Sequence, residues 1–179
     1  MACRENLETH LRHRGVAYDI QHHEAVLTAH KVAASEHVAG KTPARVVMVF
    51  AGDDLKMLVM PSHFRVDLEA TRASLGGRDV RLAAESEFAP FFPDCEPGAM
   101  PPFGNLYGIP VFAERALAEN EQIVFQLGTH TETMSIPYRE FVRLARPTLA
   151  RLGFVPGRSP RPPEEGNDRH GHPRSGLDG

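Results

Sequence analysis

No stretch of the 179-residue sequence approaches the roughly 20 consecutive apolar residues that a bilayer-spanning helix requires, so a helical membrane protein is excluded. The first residues, Met1-Ala-Cys-Arg-Glu-Asn6, lead into an amphipathic charged segment instead of an apolar signal core, and a cytoplasmic protein is expected. Cysteine is scarce. Cys3 and Cys95 are too few for a disulfide framework and show no CxxC or Cys/His zinc spacing, so both are expected as reduced thiols. An excess of positive charge is also missing: the net charge is -3, which excludes a protein that coats nucleic acid through bulk electrostatics but leaves room for a local basic contact. Nor is there a Gly-x-Ser-x-Gly elbow, a P-loop or a dinucleotide fingerprint, so serine-hydrolase, NTPase and Rossmann readings have no support. Apolar residues (41%) and charged residues (24%) are instead those of one globular domain.

That domain is expected over residues 1–156. From Gly157 to Gly179 the only large apolar side chain is Leu177, too little to offset the entropy of ordering, and this segment reads as a disordered tail. Within the body, apolar spacing alternates between helical and strand periods. Leu7 and Leu11 lie one turn apart in a helix over Asn6–His13 that Gly15 ends; Val16–Gln21 alternates as a strand; Thr28 caps a helix through His37. Arg45–Phe50 and Leu55–Met60, joined by Ala51-Gly-Asp-Asp54, form a hairpin. Asp67 caps a helix to Leu75, Val80–Leu82 is a short strand, and a helical turn covers Glu85–Phe92. Strands follow at Ile109–Phe112, Gln122–Leu127 and Thr131–Ile136, then a helix opened by Pro137 and running to about Leu152. The class is α+β with a mixed sheet. On the last helix Arg139, Arg143 and Arg146 share one face, opposite Phe141, Leu144, Ala145 and Leu149; that basic face suits either solvent or a phosphate backbone.

The segment Pro93–Gly104 is rich in proline and glycine and has no regular period. Gly98 and Gly104 permit positive φ and close approach of a ligand, and Pro101-Pro102 stiffen the chain between them. Such a loop either presents fixed backbone groups to a small polar ligand or serves as a rigid crossover. Cys95 in this loop has no basic neighbour in sequence and reads as an inert thiol. His10 with His13, and His22-His23 with His30, lack acidic or cysteine partners at a recognised spacing, so no metal and no other cofactor is expected.

Three segments, Gly98-Ala-Met-Pro-Pro-Phe-Gly104, Val59-Met-Pro-Ser-His-Phe-Arg-Val-Asp-Leu68 and Gly128-Thr-His-Thr-Glu132, resemble in that order the YbaK/EbsC family, which includes the editing domain of prolyl-tRNA synthetase and its freestanding relatives. The resemblance spans about Leu7 to Arg151, and Gly-x-x-x-Pro, here Gly98 to Pro102, is its most specific element. It implies a single α+β domain with a mixed, partly barrel-like sheet surrounded by helices. It also implies an aminoacyl-tRNA deacylase acting in trans, whose partner is a tRNA acceptor end carrying an amino acid, with association with a synthetase and no membrane partner. Such a second site is needed because a pocket separates amino acids differing by one methylene by only about 1–3 kcal/mol. By the resemblance Gly98, Ala99, Met100, Pro101 and Pro102 shape the aminoacyl pocket, with Met100 a size filter and Ser62 and His63 beside it. Arg45 stands where many relatives carry a functional lysine; it keeps the charge but cannot act as a general base. Lys41 could replace that lysine only by folding back from a loop. His130 would orient substrate or water, and Arg139, Arg143 and Arg146 would meet the acceptor stem. The alternative is a noncatalytic module of the same fold that binds an aminoacyl-tRNA end, an amino acid or a nucleotide, or regulates a partner protein.

Overall fold

The first helix carries its apolar residues on one stripe: Cys3, Leu7 and Leu11 recur every four residues and are all buried. In the computed structural model, which describes residues 2–23 and 40–158, this helix is α1 (Ala2–His13). Gly15 ends it at φ +68°, a conformation that costs glycine little. The helix expected at Thr28–His37 and nearly all of the tail lie outside the described residues.

Strand β1 (Asp19–His22) follows, then β2 (Lys41–Ala51) and β3 (Asp54–Pro61), which form the expected hairpin with Ala51 opposite Asp54. Alternation along this hairpin separates two apolar clusters. Ala44, Val46 and Met48 face the larger cluster with Met57 and Val59, whereas Val47 and Val49 face a smaller one with Leu58 and Met60. Strand β4 (Arg65–Val66) leads into α2 (Leu68–Ser74), whose N-cap Asp67 accepts the Glu69 and Ala70 N–H groups at 3.1 and 3.0 Å. That cap contributes about 1 kcal/mol. Strand β5 (Val80–Leu82) pairs with the end of β2, and α3 (Glu85–Phe88) continues into a 3₁₀ turn over Ala89–Phe91.

The remaining strands are β6 (Val111–Glu114), β7 (Gln122–Gln126), β8 (Glu132–Pro137), β9 (Thr148–Ala150) and β10 (Gly153–Phe154), with α4 (Tyr138–Ala145) after β8. The main sheet runs β1-β8-β7-β2-β3-β6-β9, with β5 beside β2, and β10 pairs separately with β4. β7 is parallel to β2, and β6 is parallel to both β3 and β9, while the other pairs are antiparallel. This is the mixed α+β sheet expected, as an open path among the described residues.

The last helix is shorter than its apolar spacing suggests. It stops at Ala145 because Pro147 follows: proline disfavours helical geometry in the residue before it, and Arg146 turns to φ +47°. The chain then enters β9, so Leu149 sits on a strand at 43% exposure instead of on the helix's apolar side. Phe141, Leu144 and Ala145 do pack into the larger cluster, and burying a side chain such as Phe141 contributes roughly 2–3 kcal/mol. At the other end of β6 the buried Glu114 carboxylate accepts the Leu152 N–H at 2.6 Å and the Gly153 N–H at 3.1 Å, fixing the path from β9 into β10.

Candidate functional site

The segment Pro93–Gly104 is built in two halves. Its first part, through Gly98, is largely exposed, whereas Ala99 to Gly104 is buried. Met100 and Phe103 enter the larger cluster, where Phe103 meets Phe125 and Phe141 edge to face at ring distances of 5.7 and 5.9 Å. The buried half thus anchors the exposed half without help from a regular ladder.

Gly98 adopts φ +82°, and a Cβ there would lie 3.7 Å from the His130 ring. The loop is tied to the β7–β8 turn at several points. Glu96 N–H donates to Gly128 O at 2.8 Å, and Gly128 N–H donates to Ala99 O at 2.8 Å. The Glu96 carboxylate accepts the His130 N–H at 2.9 Å, while His130 Nε2 lies 3.0 Å from the Pro97 carbonyl. If that contact is a hydrogen bond the ring nitrogen carries the proton, because a carbonyl can only accept. Gly98 N–H points at Met100 Sδ, 3.2 Å away. Beside the histidine, Thr129 and Thr131 hydroxyls lie 3.3 Å apart. The exposed Gly98 and His130 are therefore held in fixed relation at the rim of a rigid loop whose Ala99–Pro102 stretch is buried.

The other expected residues gather elsewhere. Arg45 lies on β2 opposite Met60, and its Nη2 donates to the Phe64 carbonyl at 2.8 Å. Alternation puts it on the side of Val47 and Val49, not on the side where Met48 and Met100 meet in the larger cluster. Burial lowers the Arg45 pKa, yet a guanidinium starts so high that the charge remains. Ser62 N–H donates to Pro43 O at 2.9 Å, and the exposed His63 ring stands edge-on to Phe64 at 5.0 Å, so Arg45, Ser62 and His63 share the end of the β2–β3 hairpin. No hydrogen bond joins this group to the Gly98 loop among the described residues. Lys41, read as a loop residue, opens β2 opposite Gln122.

The basic face of the last helix is interrupted. Arg139, Arg143 and Arg146 are all exposed, but Arg146 lies past the helix as its C-cap, in the left-handed conformation. Arg143 pairs with Glu140 at 2.7 Å and donates to the Arg14 carbonyl at 3.2 Å. A continuous three-arginine stripe is not formed.

Sequence reasoning also missed a covalent link. Cys3 and Cys95, expected as separate reduced thiols, are joined in a disulfide with Cα atoms 5.7 Å apart. Their 92-residue separation gives no local sign that the first turn of α1 meets the loop. Glu132 holds the same helix in place, pairing with Arg4 and with His22 Nδ1 at 3.3 Å. Among the described residues no group of three or more His, Cys, Asp or Glu side chains could hold a metal ion.

The sequence matches the aminoacyl-tRNA editing domain family over residues 23–144, which takes in the hairpin, the Gly98 loop and the His130 turn. The chain belongs to that family. The resemblance to YbaK/EbsC proteins is thereby borne out. No protein of curated function matches the sequence. Among solved structures, the chain is similar to the hypothetical protein APE2540, at 19% identity and a TM-score of 0.72, with 83% of this chain and 99% of that one covered. It is also similar to a proposed trans-editing enzyme for prolyl tRNA synthetase, at 16% identity and a TM-score of 0.73, covering 86% and 98% of the two chains. A proposed signal transduction protein from Marinobacter aquaeolei VT8 carries a related fold at 20% identity and a TM-score of 0.57, over 76% of this chain but 27% of that one. At these identities the structures establish the fold, and the chemistry must come from the site.

Proposed function

We propose that this editing-domain protein is an aminoacyl-tRNA deacylase acting in trans, hydrolysing the ester between a wrong amino acid and the terminal ribose of a tRNA. The observation that carries the reading is the latch between Glu96–Ala99 and Gly128–His130, which holds a glycine-proline loop and an exposed imidazole in fixed relation. Water attacks the carbonyl carbon, fixed donors stabilise the developing oxyanion, and the ribose oxygen departs with a proton. In this reading Gly98, Ala99, Pro101 and Pro102 shape the amino-acid pocket, Met100 sets its depth from the buried side, and His130 positions the water or the ester. Arg45 supplies positive charge at the hairpin end, where Ser62 and His63 add polar groups, for the terminal nucleotides of the tRNA. The acceptor stem meets Arg139 and its neighbours Arg143 and Arg146, and the protein works in the cytoplasm, in association with a synthetase.

A second reading draws on one specific contact. Because the Arg45 guanidinium already serves the Phe64 carbonyl, it can act as a strut of the hairpin in a noncatalytic module that binds the aminoacyl end. Incubation with alanyl-, cysteinyl-, seryl- and prolyl-tRNA separates the two. The deacylase reading expects release of at least one amino acid well above the buffer rate; retention of all four at high protein concentration sinks it.

A further inference from the structure

We propose that Cys3 and Cys95 form a thiol–disulfide exchange site that controls the order of the Gly98 loop. The two sulfurs differ in access: Cys3 is 2% exposed, whereas Cys95 is only partly buried at the edge of the loop. A dithiol reductant would therefore approach from the Cys95 side. Its thiolate attacks the Cys95 sulfur, a mixed disulfide forms, and the Cys3 sulfur leaves with the bonding electron pair. The reductant's second thiol then displaces Cys95, giving two protein thiols and one oxidised reductant: two electrons and two protons enter the protein.

The surroundings suit this exchange. The Tyr107 hydroxyl lies 3.5 Å from both sulfurs and is the donor toward Cys3, the leaving group. Burial and nearby Asp94 raise the Tyr107 pKa, so the phenol keeps its proton and can donate to a developing thiolate. Gly128 completes the site from the third side. Its φ is +83°, and a Cβ there would stand 2.8 Å from Cys3 Sγ, so only glycine admits the bridge.

The link to the loop is short. Cys95 adjoins Glu96, which binds Gly128 through its backbone and His130 through its carboxylate. The bridge thus pins the residues that latch the candidate site, and its opening removes the covalent tie between α1 and the exposed half of the loop. The consequence for turnover rests on the deacylase reading; the exchange and its effect on order do not.

The test uses the full chain, oxidised and then reduced with dithiothreitol without denaturant. Maleimide labelling read by mass spectrometry is expected to rise from no labels to two, together and reversibly. Amide exchange over 95–98 and 128–131 is expected to quicken by about tenfold or more on reduction. Deacylation should fall by about tenfold, as expected when positioning groups loosen, and recover on reoxidation. Cys3→Ser and Cys95→Ser should each hold both readouts at the reduced level whatever the oxidant. Two labels on the air-oxidised native protein, or identical exchange in the two states, overturns the proposal. A change in exchange with no hydrolysis in either state supports the switch and overturns the deacylase reading instead.

Discussion

The Glu96 carboxylate accepts the backbone N–H of His130 at 2.9 Å, joining residues 34 apart in sequence across the mouth of the candidate site. A carboxylate on a backbone N–H fixes the peptide from which the imidazole projects. Glu96→Gln keeps an acceptor but loses the charge, and deacylation is expected to fall roughly tenfold, for a loss of about 1.5 kcal/mol in an interaction of this kind. Glu96→Ala should cost more. The check is kcat and KM measured separately, with kcat carrying the loss.

Gly128 combines a left-handed backbone with contact against Cys3. Gly128→Ala is expected to destabilise the protein by about 2–4 kcal/mol, from backbone strain together with overpacking. Because part of this cost is the collision with Cys3 Sγ, pairing the change with Cys3→Ala should recover about 1 kcal/mol beyond additivity. Denaturant unfolding of the two single variants and the double variant measures the coupling.

Arg45→Met leaves the Phe64 carbonyl without its donor and is expected to lower stability by about 1–2 kcal/mol. Arg45→Lys keeps the charge without the planar fork. If Arg45 serves the substrate, this change reduces kcat/KM roughly tenfold while the unfolding free energy stays within about 0.5 kcal/mol of the parent. A faster lysine variant would show that arginine at this position is the weaker catalyst.

His10 provides a pH prediction. Its Nε2 is buried without a hydrogen-bond partner among the described residues, and burial, then Arg14 and His13, hold its pKa below the ordinary histidine value. The unfolded chain therefore binds the proton more readily than the folded one. This contribution to stability is present above the unfolded histidine pKa and is lost as pH falls through the folded value. Thermal unfolding followed from pH 7.5 down to pH 5 should show a declining midpoint, with a shallower decline in His10→Leu.

The three arginines should not contribute equally to tRNA binding. Arg143 is engaged by Glu140, whereas no ion pair is formed by Arg139 among the described residues. Arg139→Ala is expected to weaken binding two- to fivefold and to lower the salt dependence by about one phosphate contact. Arg143→Ala should have a smaller effect. Filter binding across a salt series distinguishes them.

Much of the scaffold was legible because its signals are local. Leu7 and Leu11 mark α1, the alternating hairpin marks β2 and β3, and Asp67 caps α2 where its side chain meets the next turn. The Arg146-Pro147 break was legible in principle, since proline restrains its predecessor, but the run of apolar residues to Leu152 masked it. The meeting of Cys3 with Cys95, and of Glu96 with His130, depends on chain crossings that no spacing encodes. The Gly98 loop was recognisable as a motif, while its separation from Arg45 emerges only from the parity of β2 against the two apolar clusters.

The anchoring of Leu152 and Gly153 by Glu114 has a practical consequence. It fixes the chain beside β4, where Leu152 packs with Leu58 and Met60, on the sheet side away from Met100. A fluorophore or immobilisation handle attached at Pro156 would therefore leave from the rear of the sheet. Protein tethered by that end should present Gly98 and His130 to solution while crowding the Arg45 side, so capture on a sensor would report the two contacts separately.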